Sequence, residues 1–506
     1  MVRPVLSLAR PALVCAAAST LAACVSLAPE PREPAIVGAM PETFSAAQAS
    51  PGQYRPEAWW RGFEDPVLDR LVDDALASNL DILEAAARLE QARAQARVAR
   101  AALLPQVSGG GTATRTSTPI DGLPFGGLGG GTIDRIDNEV YNLDATASYE
   151  LDLFGRVSDD YRAAARDAIA LQADLRTVQL ASAAETIAAY LDYVDTSRQL
   201  ALSKRNAATL RDRAQRTDER FARGLVDSLE LYQIRQDLRA TEASLPQLRS
   251  ALAATRSRLA LLIGAYPQTL DERLAGPLQP RLVFEPVPTG LPIGLLAQRP
   301  DVAAGWARLE AARLRIGARR AERFPRLSFQ AGLGTQAGNP GNAFDFVNNW
   351  TSSLVASLTA PIFDGGRISA NIRAARAAYD QQAVAYARTV LSAFGEVESA
   401  LADYEQQRQR YRLVIRQLAE AEGSLDLQRR RFEAGTGGYL AYLDASRNVT
   451  SAQIALSQAA RGAAGARLAV HRALGGDWIG DAAGAIQPIE MRLAEPVRGK
   501  TGEELP

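Results

Sequence analysis

Histidine and cysteine are almost missing. The 506 residues contain one histidine, His471, and two cysteines, Cys15 and Cys24, both within the first 24 positions. A single imidazole leaves little room for histidine acid/base chemistry or a His-rich metal site. Beyond Cys24 there is no thiol, which excludes a disulfide framework and a cysteine metal site from the rest of the chain. His471 is expected on a helix surface near the end of a repeat. Aromatics make up only 6%, so the apolar content relies on alanine and suits long, closely packed helices better than a thick globular core. Lys plus Arg and Asp plus Glu are both 57, giving zero formal net charge. No basic field argues for nucleic acid, and no acidic excess argues for disorder. Nucleophile motifs, phosphate-binding glycine loops and metal clusters are also missing, and the GGLGGG run lacks the strand-to-helix context of a nucleotide site. The chain therefore reads as non-enzymatic and free of cofactors.

What is present starts at the N-terminus. Arg3 and Arg10 precede the short apolar run PALVCAAASTLAA, the layout of a secretory signal. The run ends in Leu21-Ala22-Ala23-Cys24, a sequence similar to a bacterial lipobox, so Cys24 is the candidate lipidation site and the new N-terminus. Val25 follows in place of Asp, which, as the lipoprotein resemblance implies, agrees with delivery to the outer membrane. After this segment no apolar run is long enough for a membrane helix, so any span has to be made another way.

The chain is written twice. Ala-Arg-Leu-Glu ends at Glu90 and again at Glu310, 220 residues apart. Arg-Phe-Ala-Arg-Gly ending at Gly224 returns as Arg-Phe-Glu-Ala-Gly ending at Gly435, 211 residues apart, as are Gly155-Arg156 and Gly366-Arg367. The first copy thus holds nine more residues between Pro105 and Gly155, and the glycine-rich run at 122–131 is their natural place. Each copy reads helix, strand pair, very long helix, tip, long helix. Residues 158–223 contain neither Gly nor Pro, and as a helix they would extend roughly 100 Å at about 1.5 Å per residue. The segments are a signal with lipobox at 1–23, a linker at 24–58, repeat 1 at 59–265, a Pro/Gly-rich connector at 266–299, repeat 2 at 300–475 and a tail at 476–506.

The strands alternate cleanly. Within 141–153 the odd positions are apolar or small and the even positions polar up to Asp152. Within 350–362, Trp350, Leu354, Ala356, Leu358, Ala360 and Ile362 oppose Thr351, Ser353, Ser357 and Thr359. Period-two alternation gives one apolar and one wet face, and about ten residues suffice to cross a bilayer at a tilt. On this reading Tyr149, Leu151 and Leu153 face lipid, and Glu150 and Asp152 face a water-filled lumen. Their partners are 104–118 and 324–336, each holding an early Pro. Gly155, and Gly365 with Gly366, are the strand-to-helix joints. Four strands cannot close a barrel with a polar interior, and an open sheet leaves backbone groups unpaired in lipid, so several copies must share one barrel.

Taken together, the duplication, Trp59-Trp60 followed by FEDPVLDRL, Arg299-Pro300-Asp301-Val302 and the paired RF-x-x-G tips resemble the TolC-like outer-membrane efflux channels. The similarity is to the lipoprotein (NodT-type) branch serving resistance-nodulation-division pumps, and it covers essentially the whole mature chain. It implies a homotrimer, mainly α with transmembrane β, whose protomers give four strands each to a twelve-stranded β-barrel that continues into a periplasmic α-helical barrel. It implies a passive exit duct for drugs or other small molecules, opened by untwisting of the inner helix ends. The implied partners are a periplasmic adaptor, an inner-membrane pump and outer-membrane lipid. Residue by residue, Leu440 matches an apolar collar, and Asp444 a negative ring with Arg447 within reach of it. Ala441 stands where some relatives carry a second Asp, which weakens the ring. Glu230 lies in the corresponding turn of the first copy. Gly224-Leu225 and Gly435-Thr436 match the adaptor-docking tips. The alternative is a periplasmic coiled-coil adaptor or scaffold lipoprotein, which would share the lipobox and long helices without needing the alternating strands.

Overall fold

The computed structural model describes residues 26–30, 41, 43–44, 58–119, 135–275, 280, 282, 284–287 and 299–475. Helices α1 (Pro66–Ser78) and α2 (Leu80–Ala101) lead into strands β1 (Gln106–Pro119) and β2 (Arg135–Leu151). Helices α3 (Arg156–Ala222) and α4 (Ser228–Leu262) follow, then the short α5 (Leu270–Arg273). The second copy contains α6 (Pro300–Ala321), β3 (Arg326–Ala337), β4 (Trp350–Thr359), α7 (Arg367–Glu433) and α8 (Tyr439–Leu474). Helices α3 and α7 are each 67 residues long and start 211 residues apart, while α2 and α6 are each 22 residues long and start 220 apart. The duplication read from short motifs is thus a duplication of whole elements. Residues 122–131, the expected site of the nine extra residues, lie outside the described residues, as do Cys24 and the tail beyond Gly475. No helix among the described residues is long and apolar enough to cross a membrane.

Two compact units are present. The first comprises Met1–Gly38, Arg88–Ala173 and Val302–Thr389, and holds the sheet. Its four strands are antiparallel in the order β1-β2-β3-β4, leaving β1 and β4 as edges. The register aligns the faces across all four strands. Val107, Ala147, Ala331 and Leu354 are mutual neighbours on one face, while Ser108, Thr146, Gly332 and Ser353 are neighbours on the other. Over the part of the sheet nearest the helices this alternation becomes an apolar face opposite a polar one, and toward the far end Arg115, Asp137 and Glu139 interrupt the apolar face.

Both alternating segments are trimmed where the helices begin. Strand β2 starts at Arg135, earlier than residue 141, because it pairs with β1 as far as Pro119. It ends at Leu151, so Leu153 is not a strand residue facing lipid. Asp152 does not serve as a lumen-facing strand residue either: its carboxylate accepts from the Val157 N–H (3.2 Å) and the Ser158 N–H (2.7 Å). Those are orphan donors of the first turn of α3, and satisfying them outweighs one more ladder position. Strand β4 likewise stops at Thr359, short of Ala360 and Ile362, ahead of Pro361, which has no N–H to donate.

The second unit comprises Ala39–Ala87, Asp174–Asp301 and Val390–Pro506. Its largest core buries Trp60, Phe63, Leu68, Leu71, Ile187 and Tyr190. Each fully buried Leu or Ile contributes about 1.5–3 kcal/mol. The FEDPVLDRL motif acts here as a helix start. Asp65 accepts from the Val67 N–H (2.9 Å) with Pro66 at the first helical position, and also from the Tyr190 hydroxyl (2.5 Å). The Arg-Pro-Asp motif is a helix stop. Arg299 donates to the Ala473 carbonyl at the end of α8 (2.7 Å) and pairs with Asp301 (2.7 Å) and Glu396 (2.9 Å). A side chain at Gly475 (φ 68°) would sit 2.6 Å from Arg299 Cγ. His471 is not on the surface as the sequence suggested. It is buried and stacked on Trp59 with ring centroids 4.3 Å apart, because the helix face carrying it packs on the Trp59-Trp60 pair.

Candidate functional site

The two tips are built alike. At the end of α3 the Leu225 N–H donates to the Arg220 carbonyl (2.9 Å) and the Gly224 N–H to the Phe221 carbonyl (2.8 Å). At the end of α7 the Thr436 N–H donates to the Arg431 carbonyl (2.9 Å) and the Gly435 N–H to the Phe432 carbonyl (3.0 Å). Gly224 (φ 75°) and Gly435 (φ 73°) adopt the left-handed conformation this closure requires, and nothing lies within 4 Å of where a Cβ would be. Glycine is needed for the backbone turn, not for space. The copies differ in how the returning helix begins. Asp227 caps α4 by accepting from the Glu230 N–H (2.8 Å), whereas Gly438 gives α8 no side-chain cap.

Past the second tip, Asp444 and Arg447 lie one helical turn apart on α8 and pair at 2.8 Å. Arg447 also reaches Asp237 on α4, with Nη2–Oδ2 at 2.5 Å and Nε–Oδ2 at 2.7 Å. Asp237 was not foreseen. The pair exists because the returning helices of the two copies lie side by side, which no local motif encodes. The three groups carry one net negative charge. Asp444 stays mostly exposed (65%), whereas the Asp237 side chain is largely covered (18%), so Asp444 presents the carboxylate to solvent. Leu440, one turn before Asp444, is 42% exposed.

Glu230 stands apart from this group. It makes no ion pair with Arg447 among the described residues, and burial raises its carboxyl above the usual range, against a counteracting Arg220 charge. Its charge acts on the Tyr439 hydroxyl. Around that tyrosine, Phe432 and Tyr442 stack (5.8 Å), and Arg213 donates to the Tyr442 hydroxyl (2.6 Å) while covering its ring. The aromatic packing ties α8 to α7, and the Arg213 contact ties it to α3, just behind the tip.

The joints use the same left-handed device at helix starts. Gly155 (φ 75°), Gly365 (φ 62°) and Gly366 (φ 85°) precede α3 and α7. Glu150 pairs with Arg156 across the first joint (2.8 Å). At the second joint Asp364 accepts from the Ile368 N–H (2.8 Å) and the Gly366 N–H (2.9 Å), bonds that lower its pKa. Among the described residues no group of His, Cys, Asp and Glu side chains forms a metal-binding cluster.

This architecture is one of a known class: the chain belongs to the outer membrane efflux protein family, whose model matches residues 71–265 and 291–476. It is 34% identical over 473 residues to the outer membrane protein OprJ of Pseudomonas aeruginosa, covering 91% of this chain and 94% of that protein. It is 28% identical to the probable outer membrane lipoprotein SilC of Salmonella typhimurium, with 91% and 97% covered. The solved CmeC outer membrane channel of Campylobacter jejuni superposes with a TM-score of 0.80 at 25% identity, over 89% of this chain and 95% of that one. The expected fold class, mainly helical with four transmembrane-type strands per chain in a duplicated repeat, is that of these channels. The protein is an outer-membrane channel component of an efflux system, and the periplasmic adaptor alternative is set aside.

Proposed function

We propose that three copies of this chain close one twelve-stranded barrel, and that the paired long helices extend it across the periplasm as a passive exit duct for drugs or other small molecules. The observation that carries this reading is the sheet itself. Over the part nearest the helices it has an apolar face opposite a polar one, and it has two unpaired edges, β1 and β4. In lipid such edges have to be paired, and closure with further copies pairs them. The chain is anchored by acyl groups on Cys24. The tips at Gly224-Leu225 and Gly435-Thr436 dock a periplasmic adaptor, which couples the duct to an inner-membrane resistance-nodulation-division pump. Leu440 forms the apolar collar and Asp444 the anionic ring, held by Arg447 and Asp237. Opening separates the returning helices α4 and α8 and breaks the Arg447–Asp237 bridge that ties them.

The test separates insertion from anchoring. A Cys24→Ala protein is expected to remain a trimer that needs detergent for extraction, as judged by light scattering of the purified protein. A water-soluble monomer would refute the barrel.

A further inference from the structure

The two joints between strand and helix differ in charge. At 220 residues' separation, Arg323 and Arg326 stand where the first copy has Leu103 and Gln106, and at 211 Arg376 stands where it has Ala165. Arg320 and Arg373 have arginine counterparts, Arg100 and Arg162, of which Arg162 lies 3.5 Å from Asp159. The first joint is made without the equivalents of Arg323, Arg326 and Arg376, so the fold does not require those three charges. Among the described residues Arg320, Arg323, Arg326, Arg373 and Arg376 form no ion pair, and Glu322, the carboxylate among them in sequence, is engaged by Arg319 and Asn371. The end of α6 meets the start of α7, where Asn371 donates to Glu322 (3.4 Å) and Arg367 lies 3.9 Å from it, which brings Arg376 and Arg323 within electrostatic reach of Arg320. Burial, then the Arg376 and Arg323 charges, hold the Arg320 pKa below its ordinary value. Unpaired like charges held together raise the energy of the free protein, and an anion removes that penalty.

Residues 26–30 indicate the side of the wall on which this cluster lies. The segment is strapped to α3 and α6: Ser26 donates to Asp159 (2.8 Å), Arg320 to the Leu27 carbonyl (3.0 Å) and Arg313 to the Pro29 carbonyl (2.7 Å). Ala28 packs on Ala163, Ala311 and Leu314. Leu27 is three residues from Cys24, a span of at most about 11 Å of extended chain. Acyl chains on Cys24 would therefore enter the bilayer beside Arg320. Just past the end of β4, Ile362 (99%) and Phe363 (92%) are exposed, as suits side chains at a lipid boundary.

We propose that the arginines around Arg320 form a docking site for the phosphate headgroups of anionic phospholipids in the periplasmic leaflet, fixing the depth of the channel in the membrane at the second joint. This rests on the reading of Cys24 as the lipid anchor. The full-length protein, purified in a zwitterionic detergent, is challenged with phosphatidylglycerol against phosphatidylcholine, and retained lipid is counted by native mass spectrometry. Wild type is expected to retain phosphatidylglycerol preferentially. Arg323→Gln with Arg376→Gln should cut that preference about 25-fold, roughly fivefold per arginine near a membrane surface. Arg100→Gln, in the first copy, should leave it unchanged. No preference in wild type overturns the proposal. Unchanged retention in the double variant together with a shifted ion selectivity places the cluster in the lumen, and loss of the trimer assigns it to a second copy; either also overturns the proposal. Acyl mass on Cys24, read in the same spectra, tests the anchor separately, so failure of that reading is distinguishable from failure of the headgroup site.

Discussion

At the scale of single residues, charge and burial set what each group can do. Asp444 keeps its carboxylate in solvent while Arg447 divides itself between Asp444 and Asp237. Repeated around a narrow pore, such carboxylates attract cations. In planar bilayers Asp444→Ala is expected to raise single-channel conductance and lower cation preference; if neither changes, Asp444 is not at the constriction. His471 is held neutral by burial, with Arg467 adding to the effect, and its pKa falls to about 3. The unfolded chain takes up a proton near pH 6.5 and the folded chain does not, so this group's stabilisation is complete above pH 6.5 and is lost as pH falls toward 3. His471→Phe, which keeps an aromatic ring against Trp59, should flatten the acid limb of the thermal-stability profile over that range.

At the scale of elements, helix ends carry more of the specification than helix interiors. Asp65 starts α1, Asp152 starts α3, Asp364 starts α7, and Arg299 closes α8. Each satisfies backbone groups that a terminus leaves unpaired. At the tips the same need is met by glycines in the left-handed region. Gly224→Ala and Gly435→Ala should each cost about 1–2 kcal/mol, the penalty of that conformation for a residue with a Cβ. Hydrogen exchange at the Leu225 and Thr436 amides should accelerate, because open space around both glycines means that no repacking offsets the strain.

At the scale of the whole molecule, the two faces of the sheet have different solvents. Ser353 and Leu354 are adjacent in sequence and oppose each other across β4. Leu354→Arg on the apolar face is expected to cost about 2–4 kcal/mol near the bilayer midplane and to reduce trimer recovered from outer membranes. Ser353→Arg, on the polar face, should assemble normally and change conductance instead. The reverse ranking would exchange the lipid and lumen faces.

Much of this was legible in the sequence because it is periodic. The strand alternation, the gap-free helices and the offsets of 211 and 220 are local regularities, and the long helices that form match them in length. Gly155, Gly224, Gly366 and Gly435 could be placed because a left-handed turn leaves few residue choices. The sequence alone thus determined the element order, the duplication and the presence of two-faced strands. Only the tertiary structure decided which distant groups meet: Asp237 with Arg447, His471 with Trp59, Arg299 with the end of α8, and Leu27 with Arg320. Those contacts join residues from 27 to 473, and they arise when helices pack side by side, a step governed by the fit of whole surfaces and not by any short run of residues.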